Sequence, residues 1–178
     1  MELIDLYDRH RQPTGFVTSR EKKLAEGMYR LVVHICIFNE KGEMLIQQRQ
    51  STKKVFPDKW DISVGGQAAA GETSEQAAQR EIKEELGIDI PLENVRPQAT
   101  MNFDEGFDDI FIVTTDAEIS DMKLQEEEVR AVDWADRRRI HFMIKSGAFV
   151  PYHPAYIDLL FSMSSMNGTF DQGKWSEG

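Results

Sequence analysis

The chain has 178 residues, 40% of them hydrophobic, a single cysteine and a formal net charge of −10 at pH 7. That length suits one domain, 1–178, with a single core. Cys36 alone excludes an internal disulfide and a cysteine zinc site, which makes a reducing compartment the default. No apolar run approaches about eighteen residues and no apolar N-terminal signal segment is present, so the expectation is a cytoplasmic protein without a membrane span. The acidic balance argues against a nucleic-acid polymer as partner, because such binders turn a basic face to the phosphates. A small polyanion that meets a local basic pocket is compatible with it.

In chain order, Leu3 to Tyr7 and Phe16 to Thr18 read as a β-hairpin whose turn lies near Pro13 to Gly15. Ser19 then caps a short helical piece, SREKKLAEG, ended by Gly27, so that 1–28 form an N-terminal extension. Tyr29 to Phe38 is a β-branched run, and Asn39 to Glu43 turns it into MLIQQR, a pair expected to form a central hairpin. Within the run, His34 reads as a hydrogen-bonded core residue in preference to a ligand. Cys36 reads as buried.

Arg49, Lys53 and Lys54 follow, and the choice between an ordinary basic loop and phosphate contact is even on residue type alone. Phe56 and Trp60 read as core aromatics, with cover for a base or prenyl group as the alternative. Trp60 to Val64 is a short strand that delivers the chain to Gly65 and Gly66, whose missing side chains suit close approach to a ligand.

Gly66 to Ile88, GQAAAGETSEQAAQREIKEELGI, is the densest stretch. Thr73 followed three places later by Gln76 is a capping box and Gly87 is a natural stop, so a helix is predicted over Ser74 to Leu86. Ala78, Ile82 and Leu86 form its apolar stripe. Glu81, Glu84 and Glu85 cluster beside that stripe within about one turn, where like charges repel unless a hard divalent cation turns the repulsion into ligation. Magnesium, with manganese as a substitute, is the natural occupant.

Val95 to Phe103 and Ile110 to Thr115 read as strands joined by the acidic loop DEGFDD, whose Glu105, Asp108 and Asp109 are read as a solvated hairpin tip ahead of metal contact. Gln125 to Trp134 is a strand with an acidic entrance at Glu126, Glu127 and Glu128. Two helices follow: RRRIHFMIKSG opened by Asp136 and stopped by Gly147, and Pro154 to Met166. The tail, 167–178, is polar and read as frayed or interface-bound. Strands and helices alternating around one acidic helix imply a layered α/β domain.

The stretch 66–88 resembles the Nudix box, the signature of the Nudix hydrolase superfamily, with no departure at any fixed position. The resemblance implies an α/β/α sandwich with a mixed sheet. It carries Glu81, Glu84 and Glu85 over as metal ligands and catalytic residues, with the carbonyl of Gly65 as an extra ligand. Arg80 is carried over as the arginine that fixes a neighbouring carboxylate, and Glu72 as the residue holding the loop. Outside the box, DLYDRHRQPTG, FNEKGEMLIQQRQSTKKVFPDKWDIS and the late EEEV resemble the isopentenyl-diphosphate isomerase branch, over roughly residues 1–165. Glu126 and Glu128 match that branch's late glutamates, and Glu128 joins the expected metal set. The isomerases' catalytic cysteine and metal histidine are replaced by Gly65 and Gln67, and a further metal histidine by Arg30.

Isomerisation needs a proton donor and acceptor on opposite faces of a carbon, and glycine offers neither. The expectation is therefore a magnesium-dependent hydrolase that uses metal-activated water on a P–O–P linkage of a nucleoside diphosphate derivative or related organic diphosphate. Arg49, Lys53 and Lys54 are its expected substrate contacts. An isomerase-like enzyme and a non-catalytic diphosphate-binding module are the alternatives, and a homodimer is left open.

Overall fold

The computed structural model describes residues 2–166 and 168. The expected tail, apart from Gly168, lies outside the described residues. Among the described residues no helix is long and apolar enough to cross a membrane.

Two antiparallel strands open the chain, β1 (Leu3–Tyr7) and β2 (Pro13–Ser19), and they form a sheet of their own. Their turn is not at Pro13 to Gly15, as the sequence suggested, but at Asp8 to Gln12. The Asp8 carboxylate accepts the N–H groups of His10 (2.8 Å) and Gln12 (2.9 Å), and Arg11 takes the left-handed conformation at φ 61°. Gly15, at φ 79°, serves a bulge within β2: Asp5 faces Val17 and Tyr7 faces Pro13, so two steps along β1 match four along β2. The helix expected over SREKKLAEG does not form; Ser19 closes β2, and the segment runs through turns to Gly27. An aspartate side chain that satisfies two turn amides outweighs the Pro-Thr-Gly signal, and the charged segment lacks an apolar stripe to dock as a helix.

Among the described residues the main sheet has seven strands. They are β3 (Arg30–Phe38), β4 (Met44–Arg49), β5 (Trp60–Ile62), β6 (Val64–Gln67), β7 (Ala99–Phe103), β8 (Gly106–Thr114) and β9 (Val129–Ala135). β3 pairs with β8 in parallel from Arg30 opposite Gly106 to Phe38 opposite Thr114, while its other neighbours run antiparallel, so the sheet is mixed. The expected β3–β4 hairpin exists only at its tip, where Phe38 faces Met44. Beyond that point the strands part: β3 takes β6 as its neighbour, and β4 takes β5 and β9.

Ser63 fills the parting. Its hydroxyl donates to the Leu45 carbonyl (2.6 Å) and accepts the Ile37 N–H (2.8 Å), so backbone groups that lose their strand partners stay bonded. The segment read as one strand from Trp60 to Val64 is thus two, β5 on one side of Ser63 and β6 on the other.

Alternation along β3 builds two cores. Leu31, Val33, Ile35 and Ile37 face the helix α1 (Ser74–Leu86) and pack with Ala78, Ile82 and Leu86. Cys36 and Phe38 face the helices α2 (Arg137–Lys145) and α3 (Pro154–Met163) and pack with Ile140, Met143, Ile157 and Leu160. Each fully buried side chain of this size stabilises the fold by about 1.5–3 kcal/mol. The result is an α/β/α sandwich carrying an N-terminal hairpin.

Two residue groups sit differently from expectation. Asp108 and Asp109 lie inside β8 and not at a tip: Asp108 accepts from His34 Nδ1 (2.7 Å), while Asp109, fully buried, pairs with Arg11 and with Thr100 Oγ1 (2.6 Å). Glu105 alone stays at the turn, paired with Arg30. Of the two aromatics, Trp60 packs on the α2/α3 core, but Phe56 is exposed at φ 49°.

Candidate active site

α1 begins and ends where its capping residues dictate. Thr73 Oγ1 accepts the Gln76 N–H (3.2 Å), the Gln76 side chain returns a bond to the Thr73 N–H (2.9 Å), and Gly87 closes the helix at φ 69°. The helix buries Ala77, Ala78, Ile82 and Leu86 together with two carboxylates, Glu81 and Glu85. Glu84, one position round, is half exposed.

Arg80 organises this face. It makes a bidentate pair with Glu72 (2.7 and 2.8 Å), bonds the Gln67 carbonyl (3.1 Å), and reaches Glu81 (2.9 Å) and Glu84 (3.0 Å) through Nη1. Glu72 also accepts the Ala69 N–H (2.8 Å), which locks the loop before the helix. The Arg80 guanidinium holds the Glu72 carboxyl below its ordinary range, and the same pairing raises Arg80.

Glu85 receives a hydrogen bond from Gln47 Nε2 (3.0 Å). Burial, followed by the neighbouring charge of Glu81, pushes the Glu85 carboxyl up to about 8. Burial also raises Glu81, although Arg80 opposes the shift.

Opposite the helix, β6 makes room for these carboxylates. A Cβ added to Gly66 would lie 2.0 Å from the Glu81 carboxylate, so that carboxylate rests in space only glycine leaves open. Gly65 faces the other side of the sheet, where a Cβ would meet the His34 ring at 2.7 Å. Successive residues of one strand therefore serve opposite faces.

Together these residues line a strongly polar cleft of about 530 Å³. It contains Gly65, Glu81, Glu84, Glu85 and Arg80, as well as Arg49, Lys53 and Glu128. Lys53 pairs with Glu128, and Arg49 bonds Asp61 (3.2 Å) and the Val55 carbonyl (3.2 Å). Lys54 is exposed and lies outside the cleft lining, and so does Glu126, whose carbonyl accepts from Gln50 (2.7 Å).

Sequence reasoning missed Gln47, Glu2 and Arg20, all of which line the same cleft. Gln47 has the inward parity of Leu45 on β4, a signal available once that strand is placed. Glu2 and Arg20 come from the hairpin and carry no local signature.

The donor set is hard oxygen throughout, carboxylates plus a nearby backbone carbonyl, which suits Mg²⁺ or Mn²⁺ and not a soft metal. Among the described residues no three His, Cys, Asp or Glu side chains are yet drawn around a single point. Arg80 Nη1 lies between Glu81 and Glu84, and Gln47 holds Glu85. A cation would gather the carboxylates by displacing or sharing these donors. The residues present fit a hard divalent ion on that condition.

The NUDIX domain family model matches residues 28–155. An uncharacterized Nudix hydrolase of Listeria monocytogenes is 44% identical over 165 residues, covering 93% of this chain and 96% of that protein. An isopentenyl-diphosphate Delta-isomerase of Shigella flexneri is 29% identical over 140 residues, covering 76% of this chain and 77% of that protein. In fold, the chain is similar to a crystal structure of a Deinococcus radiodurans protein, with a TM-score of 0.72 and 22% identity over 91% of this chain and 99% of that one. With an intact box at Gly66 to Ile88, folded as capped helix against glycine strand, the chain belongs to the Nudix hydrolases, a family acting on phosphorus-containing anhydrides.

Proposed function

We propose that this Nudix hydrolase cleaves the P–O–P bridge of a small organic diphosphate, such as a nucleoside diphosphate derivative, with water and a divalent metal. The observation that carries this reading is the row of two buried carboxylates, Glu81 seated against Gly66 and Glu85 bonded by Gln47, in a cleft that also holds Arg49 and Lys53. Buried carboxylates without a matching set of cations are costly unless a cation joins them.

Glu81, Glu84 and Glu85, with the Gly65 carbonyl and Glu128, would hold Mg²⁺ or Mn²⁺. Such an ion neutralises non-bridging phosphate oxygens and lowers the pKa of water. Arg80 fixes the rotamers of Glu81 and Glu84 and ties them to the loop through Glu72, as groups behind metal ligands do. Gln47 aims Glu85. Arg49 and Lys53 face the substrate's phosphate oxygens and leave their resting partners to do so. Lys54, being outside the cleft, drops from the contact set. A carboxylate of the lining accepts the proton of the attacking water.

Isomerisation is disfavoured, although one relative carries that activity in its name. Gly65 offers no acid or base, and the His34 ring fills the space where a side chain on that residue would project.

Turnover of diphosphates with Mg²⁺ in ¹⁸O-labelled water tests the reading. A nucleoside diphosphate linked to a group X should give nucleoside monophosphate and X phosphate, with label in just one of them, and EDTA should abolish the reaction. Label on carbon, or activity that survives EDTA, would refute it.

A further inference from the structure

The open end of the N-terminal hairpin borders the cleft through Glu2 and Arg20. The Ala70 N–H donates to the Leu3 carbonyl (2.8 Å) and the Gly71 N–H to the Asp5 carboxylate (2.7 Å), which fastens β1 to the loop that leads into α1. Tyr7 and Tyr29 exchange both backbone bonds (2.8 and 2.9 Å), which fastens the hairpin to the start of β3. Arg20, immediately after β2, is held through its own backbone: its N–H donates to the Glu2 carbonyl (3.1 Å), and its carbonyl accepts from Arg30 Nη1 (3.4 Å). Arg20 is among the residues lining the cleft, and its guanidinium rests on the Glu2 carboxylate.

We infer that Arg20 is a substrate-binding residue that takes the phosphate at the Glu81 end of the diphosphate, while Arg49 and Lys53 take the phosphate at the Glu85 end. The inference rests on the diphosphate reading above and adds to it which cations hold which end.

Two observations support it. First, the cations are distributed along the carboxylate row: β1 is tied to the Ala70–Gly71 loop, whose neighbour Glu72 pairs with the arginine that reaches Glu81, which sets Arg20 at that end, whereas Lys53 pairs with Glu128, whose N–H bonds the Gln125 carbonyl while the Gln125 N–H bonds the Glu85 carbonyl. Glu81 and Glu85 stand one helical turn apart, about 6 Å along the axis. A substrate with charge at only one end would leave one cation unused, so the arrangement suits linear diphosphates and longer polyphosphate esters over phosphomonoesters.

Second, both cations are parked on acidic partners, Arg20 on Glu2 and Lys53 on Glu128. The Arg20–Glu2 pair is open to solvent, with side chains 47% and 33% exposed, so it is weak and readily exchanged. A phosphate offers the arginine fork two oxygens and the stronger pairing.

Methylenediphosphonate, whose P–C–P bridge cannot be hydrolysed, reads this binding apart from turnover. Its affinity in the presence of Mg²⁺, measured by isothermal titration, should fall about tenfold or more in Arg20→Ala, the usual effect of losing one charge-assisted hydrogen bond. Arg20→Lys should fall between, and Arg20→Gln replaces the alanine variant should that one fail to fold. Glu2→Gln frees Arg20 and should bind as tightly as the wild type or more so.

If Arg20 serves only to hold the hairpin through Glu2, the two removals will weaken binding together, and the inference is overturned. Unchanged affinity in Arg20→Ala, or no binding by the wild type, overturns it equally. Bisphosphonate binding that depends on Arg20 in a protein that hydrolyses no diphosphate would instead sink the hydrolase reading and leave the role of Arg20 standing.

Discussion

Two glycines, each crowded from one side, should separate catalysis from stability. At Gly66 an added Cβ would lie 2.0 Å from Glu81 Cδ and Oε1. A comfortable contact is ~3.5 Å, so the carboxylate must retreat by roughly 1.5 Å. It is the end of a flexible side chain and can do so without disturbing the strand. A misplacement of about 1 Å at a reacting centre can cost on the order of 100-fold. Gly66→Ala should therefore lose at least about 100-fold in kcat while its unfolding free energy changes by less than about 1 kcal/mol, since alanine also restrains the unfolded chain.

At Gly106 the same methyl would lie 2.2 Å from the Arg30 carbonyl oxygen, a backbone atom at the first pair of the parallel β3–β8 ladder. Nothing there can swing away, so Gly106→Ala should cost about 1–3 kcal/mol as overpacking. Its turnover per folded molecule should stay much closer to the wild-type value. Initial rates on a diphosphate panel, paired with urea unfolding of the same samples, read both quantities. A Gly66→Ala protein with wild-type kcat, or one destabilised as much as Gly106→Ala, would refute the placement of the Glu81 carboxylate.

Glu85→Gln keeps the packing and the Gln47 contact region but removes a ligating charge; kcat should fall at least about 100-fold with an unchanged circular dichroism spectrum, and titration should register weaker Mg²⁺ binding. Arg11→Ala strips the buried Asp109 carboxylate of its cationic partner; because Arg11 is itself 36% exposed and partly screened, a loss of about 1–2 kcal/mol is expected in urea unfolding, and no loss would mean the pair is idle. Cys36 is fully buried, and burial pushes its thiol well above the ordinary range, so at pH 8 it stays protonated. Ellman's reagent should therefore find no thiol in the native protein and one in denaturant; rapid native reaction would mean that the α2/α3 core opens.

Local chemistry made α1 legible to the residue, because Thr73, Gln76 and Gly87 specify its ends independently of the rest of the fold. Asp136 did the same for the start of α2. The β-branched run over Tyr29 to Phe38 marked the strand, but not its partners: whether β4 follows β3 depends on Ser63 satisfying two backbone groups at the parting, an arrangement with no counterpart in local sequence. The acidic segment at Asp104 to Asp109 was misread for a similar reason. A buried aspartate in a strand is intelligible only once Arg11 and His34, 98 and 74 residues away, are placed beside it. Within the cleft the box supplied its own residues, and sequence proximity supplied Arg49 and Lys53. Gln47, Glu2 and Arg20 arrive through tertiary structure, which the box cannot announce.

The ties between the hairpin and the rest of the chain set a clock on folding. Asp5 meets Gly71 across 66 residues, and Arg11 meets Asp109 across 98. Closing such loops is slow compared with winding α1, whose contacts are local. The hairpin, which precedes the main sheet in the chain, has to wait for most of that sheet before it finds its seat. During refolding, helical signal and burial of the aromatic cores should thus precede recovery of a competent cleft. Destabilising changes confined to the hairpin should speed unfolding while leaving early collapse untouched.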